Sequence, residues 1–213
     1  LPEDMRRLND ICMRHGVKVI SDEIHCELIM KGNSYTPFAS ISDECLHNSI
    51  TLNSPTKAFN IAGLQIANII SCDADVRRRI DRAININEIF DVNPFGVVAL
   101  QAAYNEGGEW LDSLNEYLYG NYTELLRFFR ERMPAIGITR LEGTYLVWAD
   151  IRSTGMSSDE LNRRLISEGH VMMNSGTMYG KTAGEGFLRI NIACPRSRML
   201  EGLERMARVI EKL

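Results

Sequence analysis

The sequence predicts an α/β protein that continues into a smaller α+β unit, and three observations carry that expectation. Short apolar runs, "VKVIS" at 17–21, "SITLNS" at 49–54 and "QIANIIS" at 65–71, alternate with turns and a helical pattern. From about residue 74 the texture changes to long helical patterns, broken near Asn93-Pro94 and ended at Pro134. Beyond them a strand pair, a helix, a strand and a helix follow in turn. A chain of 213 residues with 45% hydrophobic content can bury one large core or two modest ones. The expected division is residues 1–125 and residues 126–213.

Each element has its local reason. Leu8, Ile11 and Cys12 recur at helical spacing, Gly16 supplies the stop, and the next strand ends at Asp22-Glu23. Strands at 49–54 and 65–71 are separated by "SPTKAFNIAG", a turn holding a lysine. Short apolar strands alternating with helices imply a sheet buried on both faces. The segment "ADVRRRIDRAININEIF" at 74–90 and the run from Gly96 to Pro134 read as linking helices. In "ITRLEGTYLVWADI" two strands surround a glycine turn, and Ser157 with Glu160 makes a capping box for the helix in "SSDELNRRLISEG". The strand "FLRINIA" precedes a last helix entered through Pro195.

Composition removes several function classes. A formal net charge of -4, with charges evenly mixed, gives no basic face for nucleic acid. No apolar run approaches the roughly twenty residues of a membrane span, and residues 1–20 lack a signal-peptide pattern, so a cytoplasmic protein without membrane partners is expected. Cys12, Cys26, Cys45, Cys72 and Cys194 are widely spaced and form no CxxC pair, and the four histidines show no ligand spacing; no metal is expected. Asn121-Tyr122-Thr123 is a glycosylation sequon by pattern, read as chance. The opening Leu1-Pro2, in a helical pattern without methionine, reads as part of a longer chain.

In open α/β sheets, ligands lie beyond the carboxyl ends of the strands. Asp22 and Lys57 each fall just past such an end. An amine and a carboxylate so placed suit pyridoxal 5'-phosphate, whose aldehyde takes a lysine Schiff base and whose pyridine nitrogen is kept protonated by an acid. Lysine can then serve again as the base that removes the substrate α-proton. On spacing alone, Asp22 is most simply a strand-end cap and Lys57 a solvated turn lysine.

The strings "VISDEIHCEL", "TLNSPTKAFNIAGLQ" and "EGTYLVWADIR", with R-I-N-x-A-x-P at 189–195, supply the context. In family order over essentially the whole chain, they resemble the fold-type I pyridoxal-phosphate enzymes of the aspartate aminotransferase superfamily. Within it the chain is most similar to the cystathionine β-lyase-like carbon–sulfur lyases of the MalY/PatB type. That resemblance implies the C-terminal portion of the fold-type I transferase fold: residues 1–125 as part of the large mixed-sheet cofactor domain with its linking helices, and residues 126–213 as the small α+β domain. It implies Lys57 as the Schiff-base lysine, Asp22 as the partner of the pyridinium nitrogen, His25 near the cofactor's phenolic oxygen, and Ser54 as a phosphate contact. Arg189 matches the arginine that grips the substrate α-carboxylate, with two parallel charge-assisted bonds.

Alternatives stand beside these roles. His25 can be a packed strand-end histidine, Ser54 a turn former before proline, and Arg189 one half of a structural ion pair. Tyr145 fits core or pocket wall, and Tyr179 in "NSGTMYG" lies on a loop expected near the substrate mouth. Gln65 stands where many transaminases carry a phosphate-binding arginine, eight residues past Lys57, and the "AGLQ" form is usual for the lyase branch. The family's N-terminal half, with a phosphate-binding helix start, a ring-stacking aromatic and an asparagine, has no counterpart, so about half an active site is expected.

The implied function is a β-lyase acting on cystathionine or cysteine-like amino acids and releasing a thiol, pyruvate and ammonia. The alternatives are an aminotransferase, or a catalytically incompetent fragment or regulator acting by protein binding. A homodimer is implied as well.

Overall fold

The computed structural model describes residues 1–89 and 91–213; Phe90, the last residue of the 74–90 pattern, lies outside the described residues. The chain divides into two compact units, Leu1–Ser113 and Leu114–Leu213.

In the first unit, α1 (Pro2–Arg14) leads to β1 (Val19–Asp22), and α2 (Asp43–Asn48), not foreseen from the sequence, leads to β2 (Ser49–Asn53). The α2 start is legible in retrospect, since the Ser42 side chain accepts the Cys45 N–H and acidic residues fill its first turn. Asn9 is buried on α1, and its side-chain oxygen accepts from the Asn48 amide at 3.0 Å. β1 and β2 pair in parallel, with Asp22 opposite Leu52. β3 (Asn68–Ile70) adds antiparallel to β2, giving the order β1-β2-β3. In this chain Ile20 of β1 is 64% and Ile70 of β3 54% exposed. Helices α3 (Ala74–Ile86) and α4 (Pro94–Glu106) follow, each with an Asp or Asn cap.

Helix α5 (Gly108–Arg132) begins after Gly107, a break the sequence pattern did not mark. In the second unit its Leu118, Leu125, Phe128 and Phe129 are buried with Leu161 and Leu165 of α6 (Ser158–Gly169) and Leu203 and Met206 of α7 (Arg196–Ile210). Each such side chain contributes roughly 1.5–3 kcal/mol of transfer free energy. The sheet is antiparallel in the order β4-β5-β7-β6, from β4 (Gly137–Ile138), β5 (Leu146–Asp150), β6 (Asn174–Ser175) and β7 (Phe187–Asn191).

Strand alternation sorts this sheet's faces. Val147, Ala149, Leu188 and Ile190 are buried, which leaves Trp148, Phe187 and Arg189 together on the opposite face. Ser157 caps α6 by accepting the Glu160 N–H at 3.2 Å, as its pattern predicts. Asn121 of the sequon is fully buried, its amide donating to the carbonyls of Ile192 and Cys194 at 2.9 and 3.0 Å. Burial and bonding leave that nitrogen no role as a glycan acceptor.

Candidate active site

In the first unit the strand register brings the acid and the amine to one edge. Asp22 closes β1 and pairs with Leu52 of β2, and the β2 chain then turns directly into the segment that carries Lys57. Because the two strands are adjacent and parallel, both residues leave the sheet at the same, carboxyl, edge. Asp22 is exposed, and one carboxylate oxygen accepts the Ile24 N–H at 3.2 Å, a local bond that fixes its carboxylate beyond the strand end. Its neighbour Glu23 turns the other way: it is 5% exposed and accepts from Ser21 Oγ at 2.9 Å and from the Phe38 N–H at 3.0 Å. Of the two acids in D-E-I-H, Glu23 holds the fold and Asp22 faces out.

The lysine turn is knit from within. Ser54, 1% exposed, places its hydroxyl 2.6 Å from the Ile66 carbonyl and 2.8 Å from the Thr56 hydroxyl, and it accepts the Thr56 N–H at 3.1 Å. Backbone bonds from Phe59 to Pro55 and from Ile61 to Thr56, at 2.9 and 3.1 Å, complete a turn around the half-buried Lys57. Two residues on, Phe59 stacks on Trp110 at 5.5 Å and meets the edge of Tyr104 at 6.3 Å, which anchors the turn to the helices behind it. Gln65 adopts the left-handed conformation (φ 51°) and leaves its amide exposed. His25, half-buried, lies three residues beyond Asp22 in the turn that leaves β1.

A polar chain that the sequence did not reveal runs beside this edge. The Tyr104 hydroxyl donates to Asn53 Oδ1 at 2.5 Å, and the Asn53 amide donates to Cys26 Sγ at 3.3 Å. Burial, with the Glu27 charge, pushes the Cys26 thiol up to about 12. The same two causes raise the Tyr104 phenol well above its ordinary value. Both groups are therefore neutral at physiological pH. Tyr104 lies 51 residues from Asn53, and no local pattern could have paired them.

In the second unit Arg189 is half-buried on β7, opposite Trp148 of β5 and Asn174 of β6. Its guanidinium carbon sits 4.5 Å from the centre of the Tyr179 ring, and no carboxylate among the described residues pairs with it. An arginine so placed, without an internal counter-ion, is equipped to take a carboxylate from outside. Tyr145 is half-buried, and burial raises its phenol against the lowering effect of the nearby Arg189 charge.

The loop bearing Tyr179 is built closed. A Cβ on Gly184 would fall 1.9 Å from the Gly176 carbonyl oxygen, so the backbones meet where no side chain fits. Asp159 accepts from the hydroxyls of Ser175 and Thr177 at 2.5 and 2.7 Å, and the fully buried Ser158 hydroxyl accepts the N–H groups of Gly186 and Phe187 at 2.8 and 3.1 Å. Tyr179 is thus carried on a fixed loop, edge-on to Trp148 at 5.4 Å.

The first unit thus sets an acid and an amine at one edge of a mixed sheet, and the second carries an arginine with no carboxylate partner among the described residues. The chain belongs to the class I and II aminotransferase family, whose model matches residues 2–206. It is 40% identical over 204 residues to cystathionine β-lyase PatB of Bacillus subtilis, covering 96% of this chain and 52% of the relative. Among solved structures it is similar to cystalysin from Treponema denticola, which contains a pyridoxal 5'-phosphate cofactor (TM-score 0.94, 32% identity, 99% of this chain and 53% of that one). It is also similar to the pyridoxal-phosphate-bound carbon–sulfur lyase of Staphylococcus hominis (TM-score 0.88, 33% identity, 99% and 54%). The chain spans about half the length of the curated relatives it matches. No helix among the described residues is long and apolar enough to cross a membrane.

Proposed function

We propose that this chain carries the lysine half of a pyridoxal-phosphate-dependent carbon–sulfur β-lyase, which acts on cystathionine or cysteine-like amino acids and releases a thiol, pyruvate and ammonia. The observation that carries the reading is the register of β1 and β2, which sends Asp22 and Lys57 out of one sheet edge. The donor set fits the cofactor: a half-buried primary amine for its aldehyde and an oriented carboxylate for its pyridine nitrogen. When bound, pyridoxal phosphate supplies an electron sink for the carbanion formed at the substrate Cα.

In this reading Lys57 would hold the cofactor through its amine and would then serve as the base that takes the Cα proton. Asp22 would keep the pyridine nitrogen protonated, and His25 would be a further contact to the cofactor. A phosphate contact by Ser54 would draw its proton away from the Ile66 carbonyl, and Gln65 would add a neutral donor. Arg189 binds the α-carboxylate and so orients the Cα–H bond, with Tyr145 and Tyr179 as neighbouring walls. Residues 1–125 then belong to the cofactor domain and residues 126–213 to the small domain of a cytoplasmic homodimer, as the resemblance implies. The lyase is favoured over an aminotransferase by the 40% identity to a cystathionine β-lyase, against 24% to an aspartate aminotransferase of Pyrococcus horikoshii.

The test is pyruvate release from L-cystathionine by the pyridoxal-phosphate-loaded protein with no keto acid added. Sustained release supports the lyase. A reaction that stops after one equivalent and resumes on adding a keto acid assigns an aminotransferase.

A further inference from the structure

We propose that Tyr104 is a positioning residue for Lys57: acting through Asn53 at the entry to the lysine turn, its hydroxyl sets where the Lys57 amine stands. The inference rests on the reading of Lys57 as the cofactor lysine and extends it to the groups that hold that lysine in place.

Tyr104 meets the turn on both sides of Lys57. Its hydroxyl donates to Asn53 Oδ1 at 2.5 Å, four residues before the lysine, and its ring lies edge-on to Phe59 at 6.3 Å, two residues after it. Asn53 is the last residue of β2, so its side chain stands where the strand gives way to the turn. The ring of Tyr104 is itself held, because Phe59 stacks on Trp110 at 5.5 Å and packs so closely on Gly107 that a Cβ there would overlap it. The phenol is therefore presented to Asn53 from a fixed aromatic group at the α4–α5 junction.

The bond has a direction and a reach. The Asn53 amide nitrogen donates to Cys26 Sγ at 3.3 Å, which turns its oxygen toward Tyr104 and leaves the phenol as the donor. Cys26 belongs to the turn that leaves β1 after Asp22, so one amide joins the Asp22 turn, the Lys57 turn and α4. The bonds of Ser54 and Thr56 close the lysine turn onto Ile66, whereas those of Asn53 tie it to other elements. Closure gives the turn its shape; the Asn53 link gives it its place beside the acid.

The test is competitive acetylation of the protein under native conditions after its cofactor has been removed. The rate at Lys57 is read by peptide mass spectrometry against the exposed Lys181 as internal reference. Tyr104→Phe removes one hydroxyl and keeps the ring. It is expected to raise the ratio of Lys57 to Lys181 labelling about threefold or more, with circular dichroism unchanged, because a half-buried amine released from its place meets the reagent more often. The apparent affinity for pyridoxal phosphate, read by absorbance, falls by a similar factor. Asn53→Ala gives at least the same rise, and adding Tyr104→Phe to it changes the ratio no further, since both remove one link. A lowered denaturation midpoint with an unchanged ratio makes Tyr104 purely structural and overturns the proposal. Effects that add in the double variant overturn the route through Asn53. Borohydride reduction of the loaded native protein separates the two readings. A raised ratio in Tyr104→Phe with no pyridoxyl adduct on native Lys57 overturns the cofactor reading and supports the positioning; an adduct on Lys57 with an unchanged ratio does the reverse.

Discussion

The Tyr179 ring lies 4.5 Å from the guanidinium carbon of Arg189, so that a half-buried arginine with no carboxylate partner among the described residues is held by an aromatic face. A cation over a ring keeps its charge available while its plane is fixed, whereas an internal ion pair would consume the charge. Tyr179→Ala is expected to raise the KM for amino-acid substrates roughly fivefold, for a cation–π contribution of about 1 kcal/mol, with a smaller change in kcat. Tyr179→Phe keeps the ring and should restore wild-type KM. Steady-state kinetics on both variants check this.

Lys57 should be the point of cofactor attachment. Borohydride reduction in the presence of pyridoxal phosphate, followed by peptide mapping, is expected to give one pyridoxyl adduct on the peptide holding Lys57. Lys57→Ala should remove both the adduct and the bound-cofactor absorbance. Labelling scattered over several lysines would contradict the assignment.

Asp22→Asn keeps an oxygen for the Ile24 N–H, so the fold should be preserved. It removes the negative charge that would hold a protonated pyridine, and the expected loss in kcat is on the order of a hundredfold or more. Circular dichroism and kinetics on the same preparation separate the two effects.

Asp159 gives a pH signature for the loop that carries Tyr179. The Ser175 and Thr177 hydroxyls, which donate to its carboxylate, hold it below the usual carboxylate range. The folded-state value is thus below the unfolded one, so ionised Asp159 contributes stability above about pH 4 and loses it as pH falls through the folded value. Denaturation midpoints of the native protein and Asp159→Asn should differ near neutral pH and converge as the medium becomes more acidic than about pH 4.

Gly184→Ala would drive a Cβ to 1.9 Å from the Gly176 carbonyl oxygen, a backbone atom with little freedom to yield. The expected destabilisation is about 3 kcal/mol or more, measured by chemical denaturation. The near-ultraviolet dichroism of the Tyr179 and Trp148 rings should weaken in the same variant, because the loop no longer holds them edge to face.

Much of the fold is readable because it is written locally. Gly16 after an amphipathic run, Ser157 before α6 and Pro195 before α7 each act within a few residues. Helix α2 escaped because six residues give too little periodicity, and the two-residue strand β6 exists only through its pairing with β7.

By itself, then, the sequence determined the α/β character, the order of the elements and the candidacy of Asp22 and Lys57, which follows from residue type and position past a strand end, while Arg189 became a candidate through the family resemblance. Only tertiary structure decided which of two adjacent acids faces out, because Asp22 and Glu23 are distinguished by the distant Phe38 N–H. It alone joined Tyr104 through Asn53 to Cys26, and it set Trp148, Tyr179 and Phe187 around Arg189. Strand register and loop closure act between residues far apart in the chain, and local periodicity carries no record of them.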